Sequence, residues 1–253
     1  MLELRGVCKT FVDASGRPTE VIRGLDLEIA RGEFAAIVGP SGCGKTTMLR
    51  IIGGLAPVSS GQVMLDNEPV TGPSAKMLVL FQEYTRSLLP WRPVQKNVEF
   101  AIERDRGISP QERRRRAGQY IEAVGLKGFE KYHPWELSGG MQQRVAIARA
   151  LTRHPEMLLM DEPFASVDAL TRSDLEDLIL KLHGSLIQSA LMVTHDVDEA
   201  IYLSDRVFVV RARPTQVYAI VDIDLPRPRD QIATKLDPRF AQLRARVKSL
   251  LDG

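Results

Sequence analysis

The chain has 253 residues, 44% apolar and 26% charged, enough for one large soluble domain or two small ones with a real core. A net charge of +2 is too mild to argue for nucleic-acid binding, and no apolar run reaches the roughly 18 residues of a membrane span. Met1-Leu2-Glu3-Leu4-Arg5 does not open a signal peptide, so the expectation is a chain that stays in the cytosol unless a partner recruits it. Two cysteines, Cys8 and Cys43, give no disulfide framework and fit a reducing compartment.

Leu2 to Val7 alternates as a strand does, Asp13 to Thr19 reads as a turn, and Val21 to Ile29 alternates again, which predicts an antiparallel β layer. Phe11, just before the turn, can be read as a ring that stacks on a purine or equally as an ordinary turn aromatic. Phe34 to Val38 is apolar throughout and predicts a buried parallel strand. It runs into Gly39-Pro40-Ser41-Gly42-Cys43-Gly44-Lys45-Thr46-Thr47, which matches the phosphate-loop pattern G-x-x-x-x-G-K-[ST], and then into a helix through Met48 to Ile52. The glycines let backbone approach a phosphate chain, and the loop N–H groups and helix N-terminus hold the anion. Lys45 adds charge at the β- and γ-phosphates, and the Thr46 hydroxyl is placed to ligate Mg²⁺. Cys43, among N–H dipoles, is expected to favour its thiolate, so that alkylation would block nucleotide binding and ATP would protect.

Gly53-Gly54 ends the helix; Gln62 to Leu65 and Met77 to Phe81 read as short strands, the second ending at Gln82. Between about Glu83 and Glu136 helical signals take over. Ser109-Pro110-Gln111-Glu112 reads as a capping box, Ala117, Tyr120, Ile121 and Val124 fall at helical spacing, and Gly125 closes the helix. The run Arg113 to Arg116 reads as a solvated helix face. The region predicts a helical insertion, about 83–150, in an α/β core. Strand–helix alternation then resumes: a helix over Gly140 to Leu151, a strand over Glu156 to Met160, a long helix over Leu170 to Ile187, a strand over Ala190 to Thr194, and a helix opened by His195-Asp196. Arg206 to Ala212 and Gln216 to Asp224 suggest a hairpin, Pro226-Arg227-Pro228-Arg229 a rigid basic linker, and about Pro238 to Leu251 a C-terminal helix.

The strand Met157-Leu158-Leu159-Met160 ends in Asp161-Glu162, at the end where doubly wound sheets place ligands. Asp161 is expected to hold Mg²⁺ and Glu162 to orient and deprotonate the attacking water. Leu137-Ser138-Gly139-Gly140-Met141-Gln142-Gln143-Arg144 opens a helix with bare N–H groups and its positive end outward. That is a second phosphate-binding surface, and one nucleotide needs only one phosphate loop, so it is expected to serve a nucleotide held by another subunit.

At this point the sequence resembles the ATP-binding subunits of ABC transporters, over essentially its whole length. LSGGMQQR matches that family's signature, GPSGCGKTT its phosphate loop and LLMDEP its acidic strand. The resemblance implies a P-loop NTPase core (α/β, mainly parallel sheet) with an N-terminal antiparallel β layer and an inserted helical subdomain. It implies an ATPase domain over 1–230 and a helical tail over 231–253. It makes Phe11 the aromatic stacked on adenine, Gln82 the link from Mg²⁺ and the attacking water to the helical subdomain, and His195 the γ-phosphate contact. Ser166-Val167-Asp168 becomes the loop that crosses a dimer interface. ATP then lies between the phosphate loop, Gly39 to Thr47, of one copy and Ser138, Gly139, Gly140 and Gln142 of the other. The implied partners are a second copy, head to tail, membrane permease subunits contacted through Tyr84 to Trp91, and indirectly an extracytoplasmic solute-binding protein, at the cytoplasmic face of a bacterial inner membrane. No nucleic acid is expected. Leu88-Leu89-Pro90-Trp91, Asp161-Glu162-Pro163-Phe164 and Leu225-Pro226-Arg227-Pro228-Arg229-Asp230 are similar to the nitrate/sulfonate/taurine importer branch. Two segments depart from that branch: Ala165-Ser166-Val167-Asp168 and the turn Arg213-Pro214-Thr215-Gln216. The alternative kept open is a soluble ABC-type ATPase of DNA repair or translation.

Overall fold

The computed structural model describes residues 1–83, 87–212 and 214–252. Two sheets carry the fold. The first is antiparallel, in the order β2 (Pro18–Ile29), β1 (Leu2–Val12), β4 (Ser60–Leu65), β5 (Glu68–Pro69). The second has the order β10 (Gln216–Asp222), β9 (Arg206–Arg211), β3 (Phe34–Val38), β8 (Ser189–Thr194), β7 (Met157–Asp161), β6 (Met77–Leu80). All its pairings are parallel except that of β10 with β9. β1 runs five residues past the predicted Val7, because Gly6 at φ +55° and register shifts after Leu4, Val7 and Lys9 break the strict alternation.

The central strands are buried on both faces, and alternate residues serve different cores. Ala35, Ile37, Leu159, Leu191 and Val193 pack with the antiparallel sheet and with α1 (Lys45–Ile52). Phe34, Ala36, Val38, Leu158, Met160 and Met192 pack with helices. Those helices include α2 (Val94–Glu99), α3 (Pro110–Ala123), α4 (Gly139–Leu151), α5 (Ala169–Leu182) and α6 (Val197–Leu203). Ala117, Tyr120, Ile121 and Val124 all face this core, and Gly125 at φ +76° ends the turn after α3.

Three local expectations are corrected. The capping box at Ser109 is half-made: Ser109 Oγ accepts the Glu112 N–H at 3.1 Å, but the Glu112 carboxylate turns to Arg115 at 2.6 and 2.7 Å. The long helix stops at Leu182 rather than Ile187, since Gly184 at φ +80° turns the chain and buries Ile187 as the lead into β8. Pro226 to Arg229, expected as a rigid basic linker, is bonded onto the fold. Arg229 Nη1 donates to the carbonyls of Ile201, Tyr202 and Ser204 at 3.2, 2.8 and 2.8 Å, capping the end of α6, and burial draws its pKa down to about 10. Beyond it, α7 (Ala233–Leu236) leads into α8 (Pro238–Asp252), whose Phe240 and Val247 are buried and whose Arg244 forks onto Asp198 of α6 at 2.5 and 2.6 Å.

Candidate functional site

The parallel strands all end on one side, and the register says what stands beside what. Val38 pairs with Thr194 and Asp161 with Val193, so the phosphate loop, Glu162 and His195 follow adjacent strand ends. The loop is shaped by what leaves no room for side chains. A Cβ on Gly39 would lie 2.5 Å from Val210 Cγ2, and one on Gly44 would meet Val21 Cγ1 at 2.8 Å and Thr215 Oγ1 at 3.0 Å. Gly44 also needs φ +111° as the residue opening α1, whose N-terminus has no side-chain cap and no acidic residue in its first turn. The positive end of α1 is therefore free to meet an anion. A cleft of about 390 Å³ opens there, lined by Thr19, Val21, Gly42, Gly44, Lys45, Thr46, Thr47 and Glu162.

Lys45 is 5% exposed and its Nζ donates to the carbonyls of Gly39 and Pro40 at 2.8 and 3.1 Å, with Glu162 Oε1 at 3.8 Å. Thr46 Oγ1 donates to Asp161 Oδ1 at 3.1 Å. Asp161 is 4% exposed; burial raises its carboxyl pKa, against the Thr46 bond that lowers it. A hydroxyl oxygen and a carboxylate meeting at a phosphate cradle form a hard, oxygen-only donor set that suits Mg²⁺. Among the described residues no three His, Cys, Asp or Glu side chains gather as a metal cage. Glu162 has φ +42°, a left-handed backbone rare outside glycine, and its N–H donates to Val193 O at 2.9 Å. Its Oε2 lies 3.1 Å from His195 Nδ1. One carboxylate therefore touches both the loop lysine and the histidine. The histidine turn is held by Asp196, which caps α6, and by Thr194 Oγ1, which donates to buried Glu199 at 2.8 Å.

The structure thus gathers Lys45, Thr46, Asp161, Glu162 and His195. Phe11 is 47% exposed under Lys9 Nζ, 5.0 Å from its ring, and pairs across β1–β2 with Thr19, which lines the cleft. Gln82 is exposed two residues beyond Leu80, and the β6–β7 register puts it level with Glu162. Ser138, Gly139, Gly140, Gln142 and Asp168 do not line the cleft. Ser138 caps α4, accepting the Met141 N–H at 3.3 Å; Ser138 and Gly139 are exposed and the first turn holds no acid. Gln142 Nε2 donates to Leu137 O at 3.2 Å. Asp168 caps α5, accepting the N–H groups of Leu170 and Thr171 at 3.1 Å each. In the segment Tyr84 to Trp91, residues 84–86 lie outside the described residues; Leu88 is buried in the helical core and Trp91 is 70% exposed.

Cys43 corrects its expectation. It is fully buried, packed under the loop, and burial pushes its thiol pKa up, outweighing the lowering by Lys45. Sequence reasoning also missed two residues, Thr215 and Gln143, and the packing reason for Gly140. Thr215 is buried, its hydroxyl donates to the Cys43 carbonyl, and its N–H donates to Val21 O at 2.7 Å, so the β9–β10 turn pins the loop from below. Gly140 is bare because of Thr171, whose Cγ2 would lie 2.3 Å from an added Cβ. Gln143 is 3% exposed; its Nε2 donates to Pro163 O, next to Glu162, and its Oε1 has no partner. Gln142-Gln143 was visible as an unusual pair, but nothing in it told which amide turns inward.

The ABC transporter family model matches residues 22–165. An uncharacterized ABC transporter ATP-binding protein of Methanocaldococcus jannaschii, MJ0412, is 47% identical over 99% of this chain and 91% of its own length. The nitrate import ATP-binding protein NrtD of Synechococcus elongatus is 40% identical over 97% and 89%, and the aliphatic sulfonates import ATP-binding protein SsuB of Bacillus cereus 39% over 97% and 94%. The dimeric ATP-binding cassette MJ0796 bound to ADP and Pi superposes with a TM-score of 0.76 at 33% identity, over 88% of this chain and 99% of that one. With motifs, sheet order and near-full-length similarity in agreement, this chain belongs to the ABC transporter family, as one of its ATP-binding subunits.

Proposed function

We propose that the chain is the ATP-hydrolysing subunit of an importer for a small anionic solute of the nitrate or sulfonate kind, and that ATP closes two copies head to tail. The observation that carries this reading is a division: Lys45, Thr46, Asp161, Glu162 and His195 surround one cleft, while the positive helix end at Ser138 and Gly139 stands exposed outside it. A second copy brings that end to the nucleotide. The dimeric neighbour holding ADP and Pi supports the pairing, and the nitrate and sulfonate import relatives support the solute class.

Within the site, phosphate oxygens replace the Gly39 and Pro40 carbonyls as partners of Lys45 Nζ. Phe11 offers its exposed face to the adenine. Thr46 and Asp161, with Gln82, would hold Mg²⁺, which would neutralise charge on the phosphates. Glu162 accepts a proton from the attacking water, and His195, hydrogen-bonded to it, contacts the γ-phosphate. The γ-phosphate is then part of the dimer contact, so its loss reopens the pair. Exposed Trp91, with Phe81 and Phe100 at 40% and 45% exposure, offers aromatic anchors to a permease at the cytoplasmic membrane face. No helix of the described residues is long and apolar enough to cross a membrane. The testing experiment co-expresses the chain with a candidate permease, co-purifies them from membranes and assays ATPase with binding protein and nitrate, an alkylsulfonate or taurine. Stimulation by one of these anions is expected; stimulation by none of them would overturn the solute class.

A further inference from the structure

The helix that opens at Ser138 is hydrogen-bonded to the loop that follows Glu162 and packs against the helix that follows that loop. Gln143, on the first full turn of α4, is 3% exposed, and its amide donates to the carbonyl of Pro163, the residue after Glu162. At the other end of that loop, Gly140 lies against Thr171, whose N–H is held by the cap residue Asp168. The segment from Glu162 to Asp168 is thus braced by α4 at both ends, and it begins on a residue already held at φ +42°. Such a backbone keeps its conformation only where the surroundings enforce it.

The two ends of this brace serve different nucleotides. Ser138 and Gly139 are exposed and are not among the residues that line the cleft containing Glu162. Resting on the head-to-tail pairing proposed above, they meet the nucleotide of the partner's cleft, while Glu162 acts in its own. We infer that Gln143 is a positioning residue that couples the two nucleotide sites within one copy: engagement of α4 by the second nucleotide sets the loop that aims Glu162 at the first. A shift of α4 along its axis moves the Gln143 amide, the Pro163 carbonyl and then Glu162, through one hydrogen bond and one peptide link. The amide also carries a strategic inefficiency: its Oε1 is buried without a partner, so the residue is not there to satisfy its own polarity. A methionine would fill the same volume among Leu80, Ala146, Ile147, Met160 and Phe164, the walls of the small cavity that Gln143 lines, without that cost.

The test uses the full chain, as wild type, Gln143→Met and Gln143→Glu, with ATPase rate measured against ATP concentration and nucleotide affinity measured separately. In the wild type the rate is expected to rise sigmoidally. In Gln143→Met the turnover is expected to fall about tenfold, the equivalent of one decade in rate constant, with affinity within about twofold and the curve hyperbolic. A merely structural role would lower affinity and thermal stability together and leave the curve sigmoidal, and that result would overturn the inference. Gln143→Glu adds a readout that packing does not move. Its protonated carboxyl donates to Pro163 O as the amide does and its ionised form repels that oxygen, so its rate relative to wild type is expected to rise as pH falls from about 8.5 to 6; a flat ratio would contradict the coupling. A wild-type chain without ATPase activity overturns the functional reading itself, a different failure from wild-type-like kinetics in Gln143→Met.

Discussion

Gly140→Ala puts a methyl where Thr171 already is. The added Cβ would stand 2.3 Å from Thr171 Cγ2, whereas carbon atoms rest at about 3.5–4.0 Å, so the overlap exceeds an ångström. Thr171 is β-branched in the first turn of a helix, which restricts its χ1, so its side chain or the backbone has to shift. Overpacking of this kind costs about 1–3 kcal/mol, and the upper half is expected because neither helix end can retreat: Asp168 fixes one and Ser138 the other. The remaining neighbours of the new methyl, Thr171 Cβ and Oγ1, lie at 3.7 and 3.9 Å and are ordinary contacts. Thr171→Ser therefore deletes the clashing atom alone. Chemical denaturation of the wild type, both single variants and the double variant gives the coupling directly. Gly140→Ala is expected to lose about 2–3 kcal/mol, and Gly140→Ala with Thr171→Ser to recover most of it. If Gly140→Ala is as stable as wild type, or is not rescued by Thr171→Ser, then helix packing is not what keeps this position bare.

Two further outcomes are expected. Burial sets the Glu199 carboxyl at about 7, above its ordinary 4.5, with Asp196 and Glu176 pushing the same way against the Thr194 hydrogen bond and Arg172. An acid raised on folding is bound more tightly to its proton in the folded state, so its ionisation costs nothing below about pH 4.5 and most above about pH 7, where the gap corresponds to about 3 kcal/mol. Glu199→Gln should thus gain stability over wild type progressively from pH 5 to pH 8 in denaturation midpoints, and a pH-independent difference would contradict the burial argument. For Cys43, iodoacetamide at pH 8 should leave the native thiol unmodified while the partly exposed Cys8 reacts, as read by mass spectrometry; labelling of Cys43 at the rate of an exposed thiol would show that the loop opens more readily than its packing implies.

How much of this was legible beforehand depended on the reach of each signal. Phe34 to Thr47 and Met157 to Glu162 carry their structure in adjacent residues: an all-apolar strand, glycines where backbone must turn, acids at the strand end. Periodicity likewise placed Ala117, Tyr120 and Ile121 on the buried face of α3, with Val124 buried just after it. What escaped depends on partners far along the chain. Cys43 looked activated because its neighbours are N–H dipoles, but Val210 and the β9–β10 turn, about 170 residues away, bury the loop from below. Thr215 stood in a turn marked only as a departure from the importer branch, and nothing local tied it to the phosphate loop. Gln142 and Gln143 are chemically identical, and only the direction in which α4 packs separates a solvent-side amide from one bonded to Pro163. Arg229 sat in a Pro-Arg repeat that suggested a rigid basic linker, while its guanidinium is held by three carbonyls at the end of α6.

The central claim is that Lys45, Asp161 and Glu162 form half of a nucleotide site and a second copy supplies the rest. Light scattering on Glu162→Gln, with and without ATP and Mg²⁺, tests it most directly. The account predicts a monomer without nucleotide, a stable dimer with ATP because binding persists while hydrolysis is lost, and a monomer throughout when Lys45→Ala removes the phosphate contact. A Glu162→Gln chain that is saturated with ATP and still monomeric would contradict it.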